Sequence, residues 1–281
     1  METESDNVAL TLLYVPGDRP ERVAKAFASD ADIVAIDLED AIAPSRKRQA
    51  RENLYELLAE ETPRPSTQIR VNPRGSQWHE CDLATIADLP KRVAVRLPKT
   101  STPDDVAAVR VHVGDRSIHA LIESALGVEN AFEIARSGVS SIALGEADLR
   151  SDLNIPTDAS GSSGLLWARL RIINAAAAAG LAPPMMSVYT GVHDVGGLRE
   201  SSVAGRTLGF LGRNAIHPKQ LSVIREAFRP DAQHVARAQD VLNRIEGAYA
   251  DGSGTVILED GSFLDAAMVE AARRTIAIAS L

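Results

Sequence analysis

The chain has 281 residues, 45% hydrophobic and 24% charged, with a formal net charge of −8 and a single cysteine, Cys81. No apolar run approaches the roughly 20 residues of a membrane span, and the acidic balance argues against a nucleic-acid or anionic-membrane surface. One cysteine cannot close an internal disulfide, and the acidic stretch Met1–Asn7 lacks the basic start and apolar core of a secretory signal, so a reducing cytoplasm is the expected compartment.

Apolar, β-branched runs then alternate with amphipathic helical stretches. Leu10–Val15 reads as a first strand and Arg19–Ser29 as a helix. Ile33–Asp37 is a second strand, followed by a helix from Ser45 to Leu58. Gln68–Val71 and Val93–Leu97 read as strands three and four. Pro103 opens a helix to Val113 at a first-turn position where its missing N–H is tolerated. Ile118–Ile122 and Ser141–Leu144 are strands five and six, with a helix over Val128–Ser137 between them. Leu165–Ala179 is an Ala-rich helix stopped by Gly180. Met186–Tyr189 and Asn214–Ile216 read as strands seven and eight, separated by a helix from Gly197 to Leu208.

Eight short strands alternating with helical patterns point to an α/β fold, a TIM-type (β/α)8 barrel over residues 1–230. A doubly wound open sheet is the competitor, because periodicity cannot see closure. The first βα turn, Pro16-Gly17-Asp18-Arg19-Pro20, lacks the G-x-G-x-x-G signature that would favour it. After Pro230 the pattern changes. A helix at Asp231–Tyr249, a Gly-rich turn at Gly252–Gly254, a short Thr255–Leu258 strand and a helix from Ala266 make a small C-terminal appendage, 231–281, suited to a mobile lid.

A barrel of this type places its chemistry at the C-terminal ends of the strands. Strand two ends in Asp37-Leu38-Glu39-Asp40, strand three supplies Arg70 and Asn72, and strand four supplies Lys99. Strand five ends at Glu123, strand six runs into Glu146 and Asp148, and strand eight delivers His217. Several carboxylates converging on one mouth would repel unless protons or a cation compensate. Oxygen ligands from separate strands, without a Cys or His cluster, suit Mg²⁺, and Glu123 and Asp148 are the expected pair. The plainer reading is that Asp37, Glu39 and Asp40 cap helices or pair with Arg and Lys. For His217 the plainer reading is a ring that hydrogen-bonds its own loop. No nucleophile-elbow motif supports covalent acyl catalysis.

Taken together, Leu13-Tyr14-Val15-Pro16-Gly17, Asp37-Leu38-Glu39-Asp40, Ile69-Arg70-Val71-Asn72, Leu97-Pro98-Lys99, Leu121-Ile122-Glu123-Ser124, Gly145-Glu146-Ala147-Asp148-Leu149 and Ile216-His217-Pro218-Lys219-Gln220 resemble the citrate lyase β-subunit-like family, which includes malyl-CoA and citramalyl-CoA lyases. The motifs run in order over nearly the whole chain. The resemblance implies Mg²⁺ on Glu123 and Asp148, and Arg70 on the substrate carboxylate or carbonyl. It implies coenzyme A contacts at Arg19, Lys25, Ile216 and His217, and a lid acid at Asp265. It also implies a homotrimer or hexamer in which the lid closes over a neighbouring subunit's site. Glu146 departs from the family pattern, standing where a small residue is expected and adding negative charge near the metal.

The implied reaction is carbon–carbon cleavage of a 3-hydroxyacyl-CoA of the malyl, citramalyl or citryl type to an acyl-CoA and a keto acid. Asp265 would move the proton at the enolate carbon, and Asp37, Glu39, Asp40 and Lys99 would stand behind the ligands, with Glu39 and Asp40 holding metal-bound waters. A malyl-CoA-type thioesterase and a CoA-independent pyruvate-type aldolase are the alternatives. An acyl-carrier-protein thioester in place of acyl-CoA, or a role as one subunit of an assembly, also remains open.

Overall fold

Parallel strands rich in Leu, Val and Ile form the framework of Ala9–Ala227, the larger of two compact units. The structure, a computed structural model, describes residues 9–59, 66–156, 163–250, 256–257, 263–264 and 266–280. The first unit begins with β1 (Thr11–Pro16), α1 (Pro20–Phe27), β2 (Ile33–Asp37), α2 (Lys47–Leu58), β3 (Ser66–Arg70) and α3 (His79–Asp88). It continues with β4 (Ala94–Leu97), α4 (Pro103–Val113), β5 (Ile118–Ile122), α5 (Ala125–Glu129), α6 (Ala131–Ala135) and β6 (Ser141–Leu144). It ends with α7 (Glu146–Asp152), α8 (Leu166–Ala178), α9 (Val195–Leu208), β7 (Arg213–Ala215) and α10 (Gln220–Phe228).

The strands make one parallel sheet in the order β6-β5-β4-β3-β2-β1-β7, curled into a half-barrel. Consecutive parallel strands need crossovers, and the intervening helices supply them. Strands covered on both faces read as largely apolar runs; in β4 all four residues are buried, Arg96 the charged one among them. Local caps agree with this layout. Thr102 and Asp105 form a reciprocal capping box ahead of α4, and Asp194 caps α9 by accepting from Gly197 N.

Register explains how polar groups meet. Asp37 pairs with Arg70, Arg70 with Arg96, Arg96 with His119 and His119 with Ser141, so one row of polar side chains crosses five strands. Residues opposite each other in a sheet share a face. The row therefore stands on the same face as the site described below.

Three sequence expectations are corrected. Met186–Tyr189 is not a strand but a single bridge, Met186 to Arg213. Two of its carbonyls are taken by side chains instead of a ladder: Ser187 O accepts from Arg213 Nε at 3.0 Å and Tyr189 O from Gln220 Nε2 at 2.8 Å. The helix expected over Val128–Ser137 is two short helices, α5 and α6, broken at Asn130, whose amide donates to Ser101 O at 2.9 Å. The third concerns α3 and α7. The sequence reading gave neither of them a range, and the second carries Asp148 in its first turn.

The sheet end away from the site is tied by Asp32. Its Oδ2 accepts from Leu10 N and Thr11 N, both at 2.9 Å, and from Thr11 Oγ1 at 2.8 Å, while Oδ1 pairs with Arg225 of α10 at 2.8 Å.

The second unit holds α11 (Ala232–Ala250), an antiparallel pair β8 (Val256–Ile257) and β9 (Phe263–Leu264), and α12 (Ala266–Ala279). Its own apolar cluster joins Ala238, Val241, Ile245, Leu264, Val269 and Ala272. The expected Gly252–Gly254 turn and Asp265 lie outside the described residues. No described helix is long and apolar enough to cross a membrane.

Candidate active site

A cavity of about 450 Å³ opens at the C-terminal ends of the strands. Asp37, Asp40, Arg70, Glu123, Glu146, Asp148 and Ile216 line it, together with Tyr14, Arg22, Ser187 and Asn214. All seven were read from the sequence as groups at strand ends, Glu146 as the departure from the family pattern.

Arg70 organises the acid loop after β2. It donates from Nε to Asp37 Oδ1 at 2.7 Å and from Nη2 to Oδ2 at 2.6 Å. Its Nη1 reaches Asp40 Oδ2 at 3.3 Å and lies 2.9 Å from Glu39 Oε2. Burial works against its charge, but Asp37 and the other acids outweigh it and keep the guanidinium firmly protonated. The bidentate edge of the Arg70 fork, expected on a substrate carboxylate or carbonyl, is closed here on Asp37. Glu39 is 4% exposed, and burial drives its pKa up to about 8 despite Arg70. Glu39 and Asp40 both stand on Arg70, with Lys99 Nζ 3.8 Å from Glu39 Oε1.

Behind this loop lies a clamp that sequence reasoning missed. Lys47, 5% exposed, donates from Nζ to Leu38 O, Glu39 O and Asn72 Oδ1, each at 2.7 Å. Asn72 in turn donates to Leu38 O and to Asp82 Oδ2. A lysine in the first turn of an amphipathic helix carries no sequence signal for such a role.

Glu123 reaches the cavity from the end of β5. Its Oε2 accepts from the Lys99 backbone N at 2.8 Å, at a residue held at φ 50°. Burial raises its pKa to about 7, and the nearby charge of Asp148 pushes the same way. A β-carbon at Gly145 would run into the Glu123 carboxyl, so a side chain there would displace that carboxyl from its place. The Asp148 carboxylate has no hydrogen bond or ion pair among the described residues. Glu146, expected to add bare negative charge, is neutralised instead: Arg169 of α8 grips it through Nε–Oε1 at 2.8 Å and Nη2–Oε2 at 2.6 Å.

The residues that the resemblance implies for coenzyme A are more scattered. Arg19 precedes α1, half exposed, 3.8 Å from Asp18, and Lys25 is exposed in the last turn of that helix. Neither lines the cavity, whereas Arg22 between them does. The His217 ring accepts from Lys219 N at 3.1 Å and so holds its own loop.

The family model for HpcH/HpaI aldolase/citrate lyase matches residues 10–218. The chain belongs to the HpcH/HpaI aldolase/citrate lyase family. Among its relatives, citrate lyase subunit beta of Escherichia coli strain K12 is 32% identical, over 96% of this chain and 93% of that protein. A (3S)-malyl-CoA thioesterase of Cereibacter sphaeroides is 33% identical, over 95% and 93%. The solved structure of CitE from Mycobacterium tuberculosis, in complex with magnesium, acetoacetate and coenzyme A, superposes with a TM-score of 0.82 at 30% identity, covering 98% of this chain and 100% of that one.

For a member of this aldolase/citrate lyase family, the test of a Mg²⁺ site is the donor set. No group of three or more His, Cys, Asp or Glu able to hold a metal occurs among the described residues. Mg²⁺ asks for less, one or two carboxylates with the remaining positions left to water and substrate. Glu123 and Asp148 meet that demand: one is destabilised as an anion by burial and by the other, and the other is unpaired. The donor set fits.

Proposed function

We propose that the chain is a Mg²⁺-dependent carbon–carbon lyase acting on a 3-hydroxyacyl-CoA of the malyl, citramalyl or citryl type, giving an acyl-CoA and a keto acid. The observation that carries this is the pairing of buried Glu123 with unpartnered Asp148 in one cavity that also presents Arg70. Bound there, Mg²⁺ supplies Lewis acidity toward the hydroxyl and carbonyl oxygens of the reacting carbon. Glu123 and Asp148 hold the cation. Gly145 and the Lys99 amide hold Glu123 in place. Arg70 meets the substrate carboxylate by exchanging Asp40, the longest of its contacts and the most exposed of its three acids, while Asp37 fixes its orientation. Arg22, with Arg19 and Lys25 on the same face of the chain's first helix, supplies positive charge at the mouth for the coenzyme phosphates. Asp265 carries the proton to and from the enolate carbon, in a C-terminal lid that closes over a neighbouring subunit of a trimer. The sheet closes as a (β/α)8 barrel through the Met186 segment, and the enzyme works in the cytoplasm.

Thioester hydrolysis on the same site is the second reading, favoured by the thioesterase among the relatives. One assay separates the two. With Mg²⁺ and a panel of hydroxyacyl-CoAs, mass spectrometry should find acyl-CoA and a keto acid. Free CoA with intact hydroxy acid would select hydrolysis. Full turnover in EDTA, with Glu123→Ala and Asp148→Ala unimpaired, would sink the metal assignment in either case.

A further inference from the structure

The Tyr14 hydroxyl is half spent. It accepts from Arg96 Nε at 2.6 Å, and Arg96 Nη1 donates to Gln68 Oε1 at 3.2 Å. A guanidinium has donors only, so the phenol oxygen is the acceptor in this contact and its own proton is left to donate. No acceptor for that proton stands among the described residues. Donation from a cation also polarises the phenol and strengthens its O–H as a donor. Burial raises its pKa above the ordinary phenol value although Arg96 and Arg70 pull the other way, so the hydroxyl keeps its proton.

Its surroundings are those of the candidate active site. Tyr14 lines the cavity with Arg70 and Glu123, while Arg96, 3% exposed, does not. The Arg70 guanidinium stands over the Tyr14 ring, 5.1 Å from its centroid. A 2-oxo acid brings acceptors only, two carboxylate oxygens and a keto oxygen, and glyoxylate, pyruvate and oxaloacetate all carry that group. Arg70 has to give up Asp40 before it meets such a carboxylate, and Arg22, the other cation in the lining, comes from α1 rather than from a strand. The Tyr14 O–H is a neutral donor beside Arg70 with no acid to release.

We propose that Tyr14 is a substrate-binding residue, its O–H donating to a carboxylate oxygen of the 2-oxo acid beside Arg70. The proposal rests on the lyase reading above and adds to it a donor that serves malyl, citramalyl and citryl thioesters alike, since each carries this carboxylate on the carbon that becomes the keto group. Arg96, itself bonded to Gln68, holds the phenol oxygen in position, so the donor meets its ligand already oriented.

The test is calorimetric binding of pyruvate to the full chain with excess Mg²⁺, beside binding of Mg²⁺ alone. Tyr14→Phe should weaken pyruvate binding by at least about tenfold, the loss of one hydrogen bond to a charged group, and leave Mg²⁺ affinity unchanged. Gln68→Leu takes an acceptor from the same guanidinium outside the cavity lining, and should leave pyruvate affinity unchanged. Pyruvate held by Tyr14→Phe as tightly as by wild type would overturn the proposal and leave the lyase reading standing. An equal loss in Gln68→Leu, or a matching loss of Mg²⁺ affinity in Tyr14→Phe, would overturn it too, because the phenol would then only brace its neighbours. If Tyr14→Phe does not fold, 3-fluorotyrosine placed at position 14 alone decides. Its fluorine resonance should shift when pyruvate joins the Mg²⁺-loaded chain, and a resonance that stays in place would overturn the proposal. Wild-type binding of none of pyruvate, glyoxylate and oxaloacetate with Mg²⁺ present would overturn the lyase reading itself.

Discussion

Arg70 shows how sequence can place a residue at a strand end without showing what its side chain holds. Its place at the end of a strand marked it for the site, but its neighbours decide what its fork does, and they lie 33 residues back at Asp37. A lysine at this position cannot reproduce the bidentate contact or reach three acids in one plane. Arg70→Lys should therefore lower kcat/KM by at least about a hundredfold while shifting the melting temperature by only a few degrees, measured by steady-state kinetics and thermal melting. Near-normal kinetics would show that Arg70 serves the loop alone. Asp265, beyond the described residues, has a sharper test. Asparagine caps a helix about as well as aspartate but exchanges no proton near neutral pH. Asp265→Asn should abolish deuterium exchange into the methyl group of acetyl-CoA, and exchange at the wild-type rate would remove Asp265 from the mechanism.

At the scale of elements, α2 and α10 do work that no local pattern announces. Lys47 reaches out of α2 to three acceptors, Asn72 Oδ1 and two carbonyls of the acid loop that each keep one further donor, from Asn72 and from the Ile42 amide. Replacing it with methionine keeps the stem but leaves those acceptors buried, which should cost about 3 kcal/mol or more by urea unfolding. An unchanged midpoint would mean that the loop holds itself. Asp32 offers a control far from the cavity. Asp32→Ala removes three hydrogen bonds at the start of β1 and the ion pair to α10, for a loss of about 2–4 kcal/mol. Binding of Mg²⁺ and keto acid should survive it at temperatures where the fold persists. Loss of binding in the folded variant would tie this end of the sheet to the site.

The whole first unit carries one titration set by its polar row. His119 sits between Arg96 and Ser141 with its Nδ1 2.8 Å from Ser141 Oγ, and burial, helped by the Arg96 charge, lowers its pKa from 6.5 to about 3. The folded chain keeps the ring neutral where the unfolded chain protonates it. Its contribution to stability is thus fully present above pH 6.5 and is lost as pH falls from there toward 3, where the unfolded state binds the extra proton. His119→Gln should remove this part of the acid destabilisation, so that wild type and variant converge or cross as pH falls from 7 to 4 in urea titrations. Parallel pH profiles would place the ring in contact with water.

Much of this molecule was legible before any fold. The seven strand positions of the sheet, Pro103 and Gly180 as helix punctuation, and Asp37, Arg70, Glu123 and Asp148 at strand ends all follow from short-range pattern, because periodicity and capping are local. What stayed hidden depends on which groups meet across the sheet. Arg169 cancelling Glu146, Lys47 bracing Leu38 and Glu39, and Gly145 making room for Glu123 join residues between 8 and 23 positions apart through packing alone. The same is true of Met186–Tyr189, whose apolar run reads as a strand until Arg213 and Gln220 take its carbonyls. Sequence alone determined the alternation of elements and the acids that end the strands. Tertiary structure alone decided which of those acids are neutralised by a guanidinium and which are left without a partner, because a carboxylate's charge is settled by its neighbours in space.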